Sequence, residues 1–158
     1  MKAKAAVMHR PHEPLKIEMI DLDQPARNEV LIKTAFAGVC HSDLHYMEGL
    51  YPRPCPCVLG HESSGVVLAV GSDVTYVKPG DHVITCVSVF CGECEYCLSG
   101  RMSLCVSPAT RRPENAPARM SLNGVAMPQP GNLSSFADHM LVHEHAVVKI
   151  REDMPLDK

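Results

Sequence analysis

Two short stretches hold the residues best suited to chemistry. Cys40-His41-Ser42-Asp43-Leu44-His45 offers a thiolate, and Gly60-His61-Glu62 offers an imidazole and a carboxylate. These are the groups that zinc takes. Cys40, His61 and Glu62 are therefore expected to form most of a catalytic zinc site. The hydroxyl of Ser42 and the imidazole of His45 lie close by in sequence and form a path for a released proton, because histidine titrates near neutral pH.

A third stretch is a metal site of another kind. Cys91-x2-Cys94-x2-Cys97-x7-Cys105 is the most specific spacing in the chain. Four thiolates this close together suit a tetrahedral zinc ion with no open position, which makes a structural site. Gly92 and Gly100 allow the tight turns that wrapping one ion requires. Four thiolates also suit an iron–sulfur cluster, the competing occupant. A closed site of this type does no chemistry but is worth roughly 10–16 kcal/mol of folding energy.

The elements that must position these groups read as short strands punctuated by Pro and Gly. Strands are expected at residues 3–9 and 15–20, joined by the turn Arg10-Pro11-His12-Glu13-Pro14. A strand over 29–39 would place Val30, Ile32, Thr34 and Phe36 on one face and break at Gly38, just before Cys40. A short helix then starts at Ser42 or Asp43, either of which can serve as N-cap, and ends at Gly49. Pro52, Pro54 and Pro56 exclude regular structure up to Val58. Strands follow over 60–70, 82–89, 135–142 and 146–150, with the four-cysteine knob at 91–105. Residues 106–132, with five prolines, read as an irregular excursion. This pattern predicts one mostly antiparallel β domain with short helices over residues 1–158.

Composition excludes several classes of partner. The 158 residues carry a net charge of −3 and no basic block, which argues against nucleic acid. No apolar run approaches the 18 or so residues that would span a membrane, and the N-terminus has no signal peptide pattern. Trp is absent and Phe and Tyr are scarce, so the core must be aliphatic. Eight cysteines without a signal peptide point to metal-bound thiolates in a reducing cytoplasm and away from a secreted disulfide scaffold.

The stretch Gly60-His61-Glu62-Ser63-Ser64-Gly65-Val66-Val67-Leu68-Ala69-Val70-Gly71-Ser72-Asp73-Val74, with Cys40 to His45 before it and the knob after it, resembles the medium-chain zinc-dependent alcohol dehydrogenases. The resemblance covers nearly the whole chain and implies their GroES-like catalytic domain, a partly open antiparallel β-barrel. Carried over position by position, Cys40 and His61 resemble two ligands of the catalytic zinc, and Glu62 the carboxylate that approaches or transiently replaces one. Asp43 resembles the carboxylate that orients the ligand histidine. Ser42 and His45 resemble the two ends of the proton relay, and His41 the residue facing the cofactor pyrophosphate. Tyr51 and Val87 resemble residues that line the substrate pocket. The implied activity is zinc-assisted hydride transfer between a small alcohol or aldehyde and NAD or NADP, in a homo-oligomer.

The chain contains no Gly-x-Gly-x-x-Gly between a strand and a helix. The resemblance places the dinucleotide-binding domain, and a further cysteine ligand, after Lys158. The expectation is therefore a catalytic portion of a longer dehydrogenase, inactive alone. Two rival readings are a quinone reductase-like relative without catalytic zinc and a GroES-like or zinc-knob interaction module. Cys55, Cys57 and Cys86 read as space-filling, His82 as structural, Arg111 and Arg112 as a solvated loop. His143 and His145 share a face of what reads as a surface strand, without a third metal ligand.

Overall fold

A computed structural model describes residues 1–158. Ten strands form two antiparallel five-stranded sheets. The first contains β1 (Lys2–Met8), β2 (Lys16–Leu22), β4 (Cys57–Val58), β7 (Met120–Leu122) and β8 (Val125–Ala126), in the order β4-β1-β2-β7-β8. The second contains β3 (Glu29–Ala37), β5 (Ser63–Val70), β6 (His82–Thr85), β9 (His139–His143) and β10 (Val147–Lys149), in the order β10-β6-β5-β3-β9. Two aliphatic clusters form the core: one around Ile20 and Val58 of the first sheet that also takes in Leu31 and Leu141 of the second, and one around Ile32, Val67 and Met140 of the second. No helix is long and apolar enough to cross a membrane.

The segment 135–138 joins the two sheets. The Ala6 amide donates to the Phe136 carbonyl at 2.8 Å, and the Asp138 amide donates to the Lys4 carbonyl at 2.9 Å. The same segment runs on into β9, which pairs with β3 from Lys33↔His139 to Glu29↔His143. The result is a mainly β fold with short helices, as the spacing of turn residues implies, closed into the partly open barrel that the resemblance implies.

Several expectations need correction. Helix α1 spans His41–Met47, and its N-cap is Cys40, in extended conformation, so neither Ser42 nor Asp43 caps it. Asp43 instead sits at the third helical position, where its carboxylate accepts the Cys40 amide at 3.1 Å. The 29–39 strand is buried on both faces over Glu29–Ile32 and exposed at Phe36, because β9 flanks only its first half, to Lys33, while β5 alone continues to Ala37. The 82–89 strand ends at Thr85, and the 60–70 strand starts at Ser63. β9 is not a surface strand: Met140 to His143 are buried, since they pair with the buried half of β3.

The 106–132 excursion is irregular only in part. It contributes the β7–β8 hairpin, which extends the first sheet through Asp21↔Ser121. Arg112, read from sequence as solvated, reaches back to Glu29 at 2.6 Å and also donates to Asp23. Arg119 binds the other Glu29 oxygen at 2.6 Å. Glu29 and Arg119 are both buried. Burial works against the charge of Glu29, but the Arg112 guanidinium, the Ala26 amide and Arg119 outweigh it, and its carboxyl lies below the usual carboxylate range. A buried charge is tolerated only with such pairing, and here the pairing clamps the excursion to the start of β3.

Candidate metal centre

The end of β3 and the start of β5 converge on helix α1. Gly38 donates its amide to the Glu62 carbonyl at 2.8 Å, which joins the two chain segments just before Cys40 and just after His61. Cys40 Sγ, a ring nitrogen of His61 and a Glu62 carboxylate oxygen lie within 4.8 Å of one another. That is close to the reach of one zinc ion with bonds of about 2.0–2.3 Å. The donor set, one sulfur, one nitrogen and one oxygen, suits zinc.

Asp43 holds this arrangement from behind. It is 2% exposed. One carboxylate oxygen accepts the Gly60 amide at 3.1 Å and faces His61 Nδ1 at 3.4 Å, and the other accepts the Cys40 amide. With Nδ1 turned toward the carboxylate, His61 presents Nε2 outward, 3.2 Å from Ser42 Oγ. One buried acid thus ties together the segments that carry Cys40 and His61.

His45 lies one helical turn beyond Ser42. Its ring packs edge-on against His41 at 4.6 Å and against Tyr51 at 5.1 Å. His45 Nδ1 is buried without a hydrogen bond and faces the Glu48 carboxylate at 3.9 Å. Tyr51 also packs on Tyr46, over which Arg53 is stacked. On the other side, a side chain started at Gly131 would lie 3.5 Å from Val87 Cγ1 and 3.6 Å from His61 Cβ. Gly131 therefore brings the end of the excursion against the site.

The knob is a second donor cluster. Cys91, Cys94, Cys97 and Cys105 place their sulfurs together, with Sγ···Sγ distances of 3.5 Å (Cys94–Cys97), 3.8 Å (Cys94–Cys105) and 3.9 Å (Cys91–Cys97). A tetrahedron with 2.3 Å zinc–sulfur bonds has edges of about 3.8 Å. All eight cysteines are free of disulfides. Amides point at the sulfurs: Cys94 N–H donates to Cys91 Sγ and Cys91 N–H to Cys105 Sγ, both at 3.3 Å. The Glu93 amide, with that of Cys94, pulls the Cys91 thiol down to about 6. Short helix α2 (Glu95–Leu98) carries Cys97 inward.

Residues 26–152 match the alcohol dehydrogenase GroES-like domain. The chain belongs to this family. It is 43% identical over 161 aligned residues to the NDMA-dependent alcohol dehydrogenase of Amycolatopsis methanolica, covering 99% of this chain and 43% of that protein. Among solved structures, an alcohol dehydrogenase zinc-binding domain protein from Burkholderia ambifaria superposes with a TM-score of 0.88 at 32% identity, over 99% of this chain and 44% of that one. Benzyl alcohol dehydrogenase from Acinetobacter calcoaceticus gives 0.87 at 30% identity, over 99% and 43%. The chain thus spans less than half the length of these relatives.

Within this GroES-like domain, Cys40, Ser42, Asp43, His61 and Glu62 lie together. His41, His45 and Tyr51 form an edge-on ring cluster beside them, and Val87 stands on the far side near Gly131. Gly131 was not foreseen: a Pro-Gly pair in an irregular segment says nothing about what it will approach. Cys57 is buried, its thiol pushed up to about 12 by that burial and by Cys55, as befits a space-filling residue. His143 Nδ1 accepts the His145 amide and His145 Nδ1 contacts the Phe90 carbonyl, so both ring nitrogens on that side are spoken for by backbone.

Proposed function

We propose that this domain is the zinc-binding catalytic part of an NAD(P)-dependent alcohol dehydrogenase of the reducing cytoplasm that acts, as a homo-oligomer, on small alcohols and aldehydes. The observation that carries the reading is the convergence of Cys40, His61 and Glu62 in front of the buried Asp43 carboxylate. Those three residues would hold a catalytic zinc, and the four knob cysteines a structural one. The catalytic ion would supply Lewis acidity, which lowers the pKa of an alcohol hydroxyl.

The chain's own groups do the rest. Ser42 Oγ, beside His61 Nε2, receives the hydroxyl proton of the substrate. His45, one turn along the same helix face, takes it onward, with the Glu48 carboxylate 3.9 Å from its Nδ1. His41, exposed at the start of α1, faces the anionic cofactor. Tyr51, Val87 and Gly131 bound the space in which the substrate's carbon chain lies. Asp43 keeps the His61 ring in one orientation throughout. Hydride acceptance belongs to the nicotinamide.

The metal-free quinone reductase-like reading is not favoured, because such chemistry has no use for Cys40 beside His61. Neither is an interaction module, which has no use for the Ser42–His45 pair. The test is the full-length protein with a primary alcohol and NAD. Ser42→Ala should lower kcat by about 10²–10⁴-fold at unchanged zinc content, and Cys40→Ser should lose one zinc while keeping the other. Full zinc content in Cys40→Ser, or full activity in Ser42→Ala, would overturn the proposal.

A further inference from the structure

Seven of the ten glycines have positive φ, which explains them by backbone alone. Gly38 is not one of them. A side chain begun at Gly38 would place its Cβ 2.9 Å from Glu62 Oε2 and 3.3 Å from Glu62 Cβ. Gly65 and Gly71, the other two without positive φ, are closed off by backbone oxygens of Lys33 and Ala26. Gly38 alone is met first by a carboxylate.

Glu62 cannot back away as a whole. Its carbonyl accepts the Gly38 amide at 2.8 Å, and the next pair, Ala37↔Ser63, is in the β3–β5 ladder. Its backbone is therefore tied to position 38. Its side chain is exposed and free to rotate. A methyl group at position 38 would have to displace the Glu62 carboxylate, an oxygen of which lies within 4.8 Å of the Cys40 and His61 donor atoms.

From this we infer that Gly38 is a positioning residue for the metal centre: its missing side chain is the space that lets the Glu62 carboxylate lie beside Cys40 Sγ and the His61 ring. The inference rests on reading Cys40, His61 and Glu62 as a zinc site. It assigns to Gly38 the control of whether residues 1–158 give this site two protein donors or three.

The experiment is a Co²⁺ titration of the metal-free full-length protein, read by cobalt–thiolate absorption. The wild-type chain should take a first cobalt in the knob and a second, weaker one at Cys40. Gly38→Ala should weaken the second site about 10–100-fold, the range for losing a supporting group, with the knob's bands unchanged. Glu62→Gln should do the same. In the Glu62→Gln background, Gly38→Ala should have no further effect, because its action passes through that carboxylate. A general packing role would make the two losses multiply, and that result would overturn the inference. So would a Gly38→Ala chain that binds the second cobalt as the wild type does, or one that loses the knob's bands too. An unweakened Glu62→Gln chain would also overturn it. A wild-type chain that takes one cobalt only would overturn the reading of Cys40 as a metal ligand, and Gly38's role with it.

Discussion

The Asp43 carboxylate faces His61 Nδ1 at 3.4 Å while accepting the Gly60 and Cys40 amides at 3.1 Å each. A single buried group therefore fixes the ring orientation of one metal donor and the backbone of both metal-bearing segments. Asp43→Asn removes the charge and sets an amide N–H against a neighbouring N–H. It should weaken metal binding at Cys40 and His61 about 10–100-fold and leave the knob's metal in place. Competition with a chelator of known affinity measures both sites separately.

The buried Glu29 between Arg112 and Arg119 predicts a stability effect without a metal effect. Glu29→Gln leaves Arg119 buried without its counter-charge, which should cost about 3–5 kcal/mol. The urea midpoint should fall, and the β7–β8 hairpin should exchange its amides faster than the second sheet. Since the Glu29 carboxyl is depressed, its contribution is complete above the unfolded value near 4.3 and is lost as pH falls through the folded value.

His143 predicts a different acid sensitivity. Burial, with the neighbouring His145 and Arg119 charges, lowers its pKa to about 4, and it accepts an amide at Nδ1, so it is buried as the neutral ring. Between about 6.5 and 4 the unfolded chain binds a proton that the folded chain does not. Stability should therefore fall as pH drops through that window, by at most about 3 kcal/mol. His143→Asn keeps an acceptor and cannot titrate, so its urea midpoint should change less between pH 7 and pH 4.5. An equally steep dependence in the variant would refute the assignment.

What the sequence made legible follows from range. Cys40 to His45 and the knob are local motifs, and their geometry is set within a few residues. The Glu29–Arg112 and Glu29–Arg119 pairs span 83 and 90 residues, and nothing in a Pro-rich loop marks two of its arginines as partners of a buried carboxylate. β7 and β8 have three and two residues, too few for alternation to register. Serine and aspartate are both commoner caps than cysteine, so the sequence points to Ser42 or Asp43 as N-cap; the Asp43–Cys40 bond shifts the helix start back by a residue or two and frees Ser42 Oγ to stand beside His61.

The knob should unfold on its own. Its hydrogen bonds run largely within residues 91–105, and its tie to the barrel is the stack of Phe90 on His145 at 4.4 Å with the His145–Phe90 contact at 2.6 Å. Removal of its metal, or Cys94→Ser, should open trypsin cleavage at the exposed Arg101 while β1 to β6 keep their amide protection. Loss of protection throughout the second sheet would show that the knob holds the barrel together.

Gly60 offers the sharpest test of the scaffold. Its φ is +91°, and a Cβ there would lie 2.5 Å from Ser135 Oγ, 2.6 Å from Phe136 Cδ1 and 2.8 Å from the Phe136 amide nitrogen. Those atoms belong to the 135–138 segment that joins the sheets, and they cannot give way without breaking the Ser135 amide bond to the Gly60 carbonyl. Gly60→Ala adds left-handed strain to overpacking, about 2–5 kcal/mol together. Gly124, with φ +80° and open space around it, isolates the first component: Gly124→Ala should cost only about 1 kcal/mol. If urea unfolding gives the two variants the same loss, the close approach of Gly60 to Phe136 does not constrain the site. If Gly60→Ala loses more and also weakens metal binding at its neighbour His61, the closure of the barrel is what sets that ligand.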